Sequence, residues 1–412
     1  MKLLFIASGY LPYTFSENLC NAKLVYALQR HGCHVDVISK RDEGATYSAE
    51  WTEPWLALRE HAFEVGYHGG SALGRAADIA RSSLATGMLP VEGIRWVRRA
   101  AAKALELHKL NHYDCLLTRS PNDIAHYAGA IVKKKTGLKW IANWNDPASP
   151  IWPEPYAHHY SAFKQRLLTH YTGKCLSMAD VNTFPSEYLL RHFETHFSSL
   201  QNKSCRVIPH IALSEDIVPQ TASTRNERLM LCHSGNLSPE RNPEHLFQAL
   251  RSLVDEGCDR IQLDIMGHIN DYTQSLVQKY NLPGHVKCPG SFPYLEAISR
   301  MSAYDVLVLV EAILDNGIFF PSKLTDYAQI GRPILAVSPS KGFARDLLEK
   351  HGGGLLADNA DIGKIQLALK EFYRCWQDGT LETKYSPRKM YEYFSADAVV
   401  KMYEEMLEDG RR

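Results

Sequence analysis

The feature that most constrains this chain is a rhythm that runs, stops once and starts again. Short apolar runs alternate with longer amphipathic stretches. Leu3–Ala7, Val35–Ile38, Asp114–Thr118, Lys139–Asn143, Ala179–Phe184 and Cys205–Pro209 read as buried strands. Asn18–Arg30 carries Leu19, Ala22, Val25, Tyr26 and Leu28 at helical spacing, and Ile124–Lys134 reads as a second helix. Ser214–Glu227 is polar, contains Pro219 and has no apolar period, so it reads as a linker. Beyond it Arg228–His233, Ile261–Met266, Val286–Cys288, Val306–Val310, Ile334–Val337 and Gly354–Leu356 read as strands, with a helix over Pro243–Glu256. Strands without polar alternation are covered on both faces, which requires parallel sheets flanked by helices. The expectation is an α/β chain of two Rossmann-like domains, residues 1–215 and 226–385, facing across a cleft. Residues 386–412 hold a helix, Ala396–Glu408, with Val399, Val400, Tyr403 and Met406 on one face. It is expected to cross back to the first domain. In open parallel sheets ligands bind beyond the carboxyl ends of the strands.

Residues from about 45 to 110 break the rhythm and read as a helical insertion. They contain Trp51, Trp55, Trp96 and a basic cluster of Arg95, Arg98, Arg99 and Lys103. A solvated basic face over a buried aromatic one is the plainer reading. The other is a surface for an acceptor, with peripheral contact to anionic lipid head groups through 51–110.

Other classes are excluded by composition. Lys and Arg total 46 against 46 Asp and Glu, so net charge gives no argument for nucleic acid. The nine cysteines form no Cys-x-x-Cys pair, which points to free thiols and a reducing cytoplasm rather than zinc or disulfides. The apolar run Leu3–Ala7 is too short for a signal segment. No stretch approaches the ~18 uncharged residues of a membrane helix. A cytoplasmic protein, peripheral at most on the inner face of the membrane, is expected. Asp358 and Asp361 have the wrong spacing for an Asp-x-Asp metal pair, so no metal or cofactor is expected.

Several motifs stand at the ends of these strands. They are Ser8-Gly9-Tyr10-Leu11-Pro12, Gly32-Cys33-His34-Val35, Ser120-Pro121, Asn145-Asp146-Pro147 and Val207-Ile208-Pro209 in the first half. The second half has Gly235-Asn236-Leu237 through Arg241, and Pro321-Ser322-Lys323-Leu324-Thr325-Asp326-Tyr327 followed by Gly331-Arg332-Pro333. In this order they resemble the retaining GT-B glycosyltransferases known as family four, over nearly the whole chain. The resemblance implies transfer of a hexosyl or related sugar from a nucleoside-diphosphate-sugar to a glycan or lipid-linked acceptor in cell-envelope polysaccharide synthesis. The alternatives are a catalytically degenerate GT-B binding subunit and a GT-B-fold sugar-nucleotide epimerase.

The chemistry explains the residue types. Negative charge grows on the leaving diphosphate, and one preorganised donor there lowers the barrier by roughly 3–4 kcal/mol. Arg241 offers a planar fork and Lys323 a point charge. Lys323 with Ser322 and Leu324 opens a predicted helix, whose amides are expected to point at the same phosphates. Asp326, one turn on, suits ribose hydroxyls. Gly9 and Gly235 leave backbone close to the donor. Phe292 and Tyr294 resemble the turn that holds the base. The family's usual upstream Glu falls on Ile318, so Glu311 is the candidate to supply a carboxylate. The family's His falls on Asn145, which leaves Asp146 as the candidate proton acceptor.

Overall fold

The computed structural model describes residues 1–13, 15–41, 51, 53–69, 71–90, 92–213, 226–268 and 270–408. Residues 214–225 of the expected linker lie outside the described residues, as do 45–50 of the expected insertion.

The chain divides into two compact units. Unit 1 comprises Met1–Pro153, Ala157–Pro209 and Val399–Arg412; unit 2 comprises Glu154–Tyr156 and His210–Ala398. In unit 1 the strands are β1 (Lys2–Ala7), β2 (His34–Arg41), β3 (Ala62–Gly66), β4 (Cys115–Arg119), β5 (Lys139–Asn143), β6 (Val181–Phe184) and β7 (Ser204–Val207). They form one sheet in the order β3-β2-β1-β4-β5-β6-β7, parallel throughout. Unit 2 has β8 (Leu229–Ser234), β9 (Ile261–Met266), β10 (Val286–Lys287), β11 (Val306–Val310), β12 (Ile334–Ser338) and β13 (Gly354–Asp358). Their order is β10-β9-β8-β11-β12-β13, again all parallel.

Each order reverses direction once, between β1 and β4 in the first sheet and between β8 and β11 in the second. The loops after those strands diverge there and leave a crevice at the carboxyl edge. This positions Gly9 and Ser120 in unit 1, and Gly235 and Glu311 in unit 2.

Helices cover the sheets because their apolar stripes match. Glu244–Asp255 buries Leu246, Phe247, Leu250 and Leu253, and Ile362–Gln377 buries Ile365, Leu369, Phe372 and Trp376. Both pack into the core around Leu231, Leu263, Val308 and Leu335. The last helix, Ala396–Glu408, buries Val399, Val400, Tyr403 and Met406. From Val399 onward it belongs to unit 1, where Lys139 Nζ donates to the Met406 carbonyl at 2.8 Å.

The insertion is not wholly helical. It contributes β3, which pairs with β2, between a 3-10 turn at Trp55–His61 and the helices Ala72–Thr86 and Ile94–Asn111. Ala62-Phe-Glu-Val-Gly66 is a five-residue edge strand of half-buried residues, too short and too mixed to announce itself. Trp55 and Trp96 are buried. The basic cluster is engaged by partners within its own unit, at its surface. Arg95 pairs with Asp78 at 2.7 Å, Arg99 donates to the Gly66 and His68 carbonyls, and Lys103 pairs with Glu106. Among the described residues no helix is long and apolar enough to cross a membrane.

Candidate active site

In unit 2 the site grows from the ends of β8 and β11. Gly235 follows β8 with φ +120, and its N–H donates to the Met266 carbonyl at 2.7 Å. A Cβ on Gly235 would stand 2.7 Å from Lys323 Nζ, and one on Gly267 would stand 2.6 Å from the Gly235 carbonyl oxygen. Gly235 therefore lets the ammonium lie against its backbone, and Gly267 lets the loop after β9 close onto the Gly235 carbonyl. Lys323 begins the helix Lys323–Ile330, which is pinned by its own buried members. Tyr327 Oη accepts from the Ser234 N–H at 3.0 Å and donates to the Val308 carbonyl at 3.2 Å, tying the helix to both strands at the switch.

Burial pushes the Lys323 ammonium down to about 7, and Arg241 nearby pushes the same way; Glu311, Asp326 and Cys232 oppose them. Among the described residues neither Lys323 nor Arg241 forms an ion pair with a carboxylate. Arg241 is exposed and its Nε donates to Tyr156 Oη at 3.3 Å. Tyr156 in turn meets Phe319 edge-on at 5.6 Å. Glu311 follows β11 and is buried, its carboxylate accepting from the Ser338 hydroxyl. Burial pushes its carboxyl up to about 7, against the pull of Ser338, Arg241 and Lys323. His233 at the end of β8 donates from Nδ1 to the Val308 carbonyl at 2.9 Å; burial and the two cations keep it neutral. Two cations with no carboxylate ion pair among the described residues, and a buried carboxyl pushed up to about 7, grouped at a switch point, suit an anionic ligand.

In unit 1 a second group forms at the carboxyl edge. Asn145, buried after β5, donates from Nδ2 to Glu17 Oε1 at 2.7 Å, and its N–H donates to Ser120 Oγ at 3.3 Å. Arg119, the last residue of β4, places Nε 3.3 Å from the same Glu17 oxygen. Burial pushes the Glu17 carboxyl up to about 8; Arg119 opposes this, Asp146 adds to it, and the Asn145 bond opposes it. Pro147, next in sequence to Asp146, lines a pocket of about 320 Å³ with Asn122, Asp123, Trp152, Tyr160 and Lys164.

Two glycosyltransferase families match the chain in tandem. The glycosyl transferase 4-like domain matches residues 19–210, and the glycosyl transferases group 1 family matches residues 215–390. Solved structures match the fold over nearly all of both chains. Sucrose-phosphate synthase from Thermosynechococcus elongatus is 14% identical with a TM-score of 0.71, covering 99% of each chain. Anabaena HepE in complex with UDP and glucose is 16% identical with a TM-score of 0.69, covering 99% of this chain and 100% of that one. The chain is a glycosyltransferase of the GT-B fold. WaaG, a glycosyltransferase involved in lipopolysaccharide biosynthesis, is 12% identical with a TM-score of 0.60 over 95% of each chain. No curated protein matches this glycosyltransferase in sequence.

The structure treats the sequence candidates unequally. In unit 2, Lys323, Arg241, Gly235 and Glu311 come together, and Asp326 accepts from Tyr294 Oη at 2.6 Å. Phe292 has Arg300 stacked 3.9 Å over its ring, so one face is already covered. Leu324 is fully buried and serves the core. The amides expected to fan out at the helix start are partly occupied, because Leu324 N–H donates to the Pro321 carbonyl and Thr325 N–H to the Ser322 carbonyl. Charge at Lys323, more than the helix start, thus defines this corner. Gly9 has a local reason to be glycine. A Cβ there would meet Asn18 Oδ1 at 2.1 Å, and Asn18 and Asn21 hold the loop by bonds to the Tyr10, Tyr13 and Gly9 carbonyls. Ile318 is buried, in a segment tied to Lys341–Phe343 by backbone bonds from Gly317. Asp361 caps the helix Ile362–Gln377, and Asp358, which ends β13, accepts from the Ala360 N–H.

Three residues were missed. Glu17 looked like an ordinary first-turn acid, and only the fold brings Arg119 and Asn145 to it. Tyr156 precedes the second rhythm by many residues yet belongs to unit 2. His233 sits inside a strand and carries no motif. The one available signal was Arg119 itself, a charge ending an otherwise apolar strand.

Proposed function

We propose that this glycosyltransferase takes a nucleoside-diphosphate-sugar donor in unit 2, with the diphosphate at Lys323 and Arg241 and the ribose at Asp326. Ser322 and Gly235 supply backbone close to the phosphates, and Tyr294, bonded to Asp326, borders the base. The observation that carries this reading is a pair of cations, Lys323 and Arg241, that form no carboxylate ion pair among the described residues, with Lys323 lying against Gly235. Glu311, buried beside them, is positioned to accept from a sugar hydroxyl. Similar structures are named as complexes with UDP, which supports a nucleotide donor.

The acceptor is a glycan or lipid-linked sugar of cell-envelope polysaccharide synthesis, and the pocket lined by Pro147 in unit 1 is its binding space. Aromatic rings at Trp152 and Tyr160 suit sugar faces, and Asp123 and Lys164 suit hydroxyls. The bond from sugar C1 to the leaving phosphate oxygen breaks and a bond from C1 to the acceptor oxygen forms, with retention. The acceptor's proton passes to the leaving phosphate. Asn145, which is no base, and Asp146 shape the acceptor side together with Glu17.

A thermal-shift panel of nucleoside diphosphates tests the donor assignment. A ligand at 100 times its dissociation constant adds about 2.7 kcal/mol to the folded state. At least one diphosphate should raise the melting temperature, and Lys323→Ala should lower that response. A flat panel would favour a degenerate subunit.

A further inference from the structure

At the opposite edge of the first sheet three metal-ligating side chains converge, where no part of the donor or acceptor site lies. His34 and Asp36 are two apart at the start of β2 and so share one face of the sheet. β2 and β3 pair with Val37 opposite Ala62, so His61, the residue before Ala62, stands beside Asp36. His34 Nε2 lies 2.9 Å from Asp36 Oδ2 and His61 Nδ1 lies 2.8 Å from Asp36 Oδ1. All three ligand atoms lie within 4.8 Å of one another.

The surroundings are those of a ligand set rather than of a casual surface contact. Asp36 is buried, its side chain 3% exposed, while His34 and His61 are 37% and 33% exposed, so the open side of the cluster faces water. Asp36 Oδ2 also accepts from Tyr113 Oη and, at 3.1 Å, from Asn111 Nδ2, both at the end of the helix Ile94–Asn111. Such outer bonds fix the direction of a ligating carboxylate. The His34 and His61 rings meet edge-on at 4.9 Å, and His34 stacks on Tyr113.

We propose that His34, Asp36 and His61 bind a divalent transition-metal ion of the zinc class, with a fourth position open to water. Two of the three donors are imidazole nitrogens, which select zinc, cobalt or nickel over magnesium or calcium. Zinc–nitrogen and zinc–oxygen bonds of about 2.0–2.2 Å place tetrahedral ligands roughly 3.3 Å apart. The two imidazole–carboxylate separations, 2.9 and 2.8 Å, open to that value with small side-chain movements. Loading replaces the two imidazole–carboxylate hydrogen bonds, each ring carrying its proton on the other nitrogen. The ion ties β2 to β3, the edge pair of the sheet, and takes no part in transfer.

Cobalt titration of the full-length chain tests this, because the chain's free cysteines would give a competing site with a distinct signature. The proposal expects one cobalt ion per chain with visible ligand-field bands and no near-ultraviolet thiolate charge-transfer band. Zinc should compete for the site and raise the melting temperature, with activity in excess chelator unchanged. His34→Gln and His61→Gln should each weaken binding by about tenfold or more. A thiolate band, binding unaltered in both variants, or no binding of either ion would overturn it. If the variants unfold, the wild-type spectrum and stoichiometry decide.

Discussion

The depressed Lys323 ammonium makes donor affinity depend on pH in a predictable way. Without ligand the group titrates near 7, chiefly because it is buried and secondly because Arg241 is near. A bound diphosphate stabilises the charged form, so binding above pH 7 must take up a proton. Affinity therefore falls as pH rises through the free-state value. Between pH 7.5 and 8.5 a group titrating near 7 loses about eightfold in charged fraction, or roughly 1.2 kcal/mol. A phosphate monoester with a second pKa near 6 is already ionised over that window. Calorimetric titration of a nucleoside diphosphate that binds in the panel should show that weakening across it, while its nucleoside alone, which makes no phosphate contact, should not. Lys323→Arg, charged at every pH, should flatten the profile. Its overall affinity should be lower, because the larger head must pass Gly235. A wild-type profile as flat as that of Lys323→Ala would refute the placement of phosphate at Lys323.

Other perturbations separate the roles of neighbouring residues. Asp326→Ala should weaken nucleoside and nucleoside diphosphate alike, whereas Lys323→Ala should spare the nucleoside; equal losses in both variants would contradict the split. Gly235→Ala combines a strained φ of +120 with a Cβ at 2.7 Å from Lys323 Nζ. It should cost about 1–3 kcal/mol in stability and lower diphosphate affinity further, both readable by melting with and without ligand. Glu311→Gln should keep nucleotide affinity but reduce turnover roughly 10- to 100-fold, as expected from losing one charge-assisted hydrogen bond. The same variant tests a pH effect on folding. A buried carboxyl raised from 4.5 to about 7 favours the fold fully below 4.5, and that contribution is lost as pH rises through 7. Glu311→Gln should therefore gain on wild type in denaturation between pH 5 and 8, by up to about 3 kcal/mol.

The sheets were legible because parallel strands buried on both faces must be written as apolar runs. Val306–Val310 and Ile334–Ser338 are buried at every position, and periodicity finds them easily. β3 is half-buried at every position and sits at an edge, so its residues obey no strict pattern. The corner around Lys323 was legible because its residues share one short segment. Asp326 and Tyr327 lie one turn after Lys323 on one helix, and Tyr327 fixes that helix to both switch strands. Glu17, Arg119 and Asn145 were not legible as a group. They come from a helix start and two strand ends far apart in sequence, and each alone resembles a common structural residue. Tyr156 likewise reaches Arg241 only through the path of the chain between the units. The vacant acid position at Ile318 and the candidacy of Glu311 could both be read from sequence, but the burial of Glu311 could not. Burial pushes its carboxyl up to about 7 against the pull of Ser338, Arg241 and Lys323, and none of these is a property of local sequence.

The most direct test of the account is release of nucleoside diphosphate from a panel of nucleotide sugars incubated with the purified chain, with and without candidate glycan acceptors. At least one donor should be turned over, and Lys323→Ala should abolish that release while leaving the fold intact by circular dichroism. Turnover that survives Lys323→Ala unchanged, or a panel with no turnover and no diphosphate binding, would contradict it.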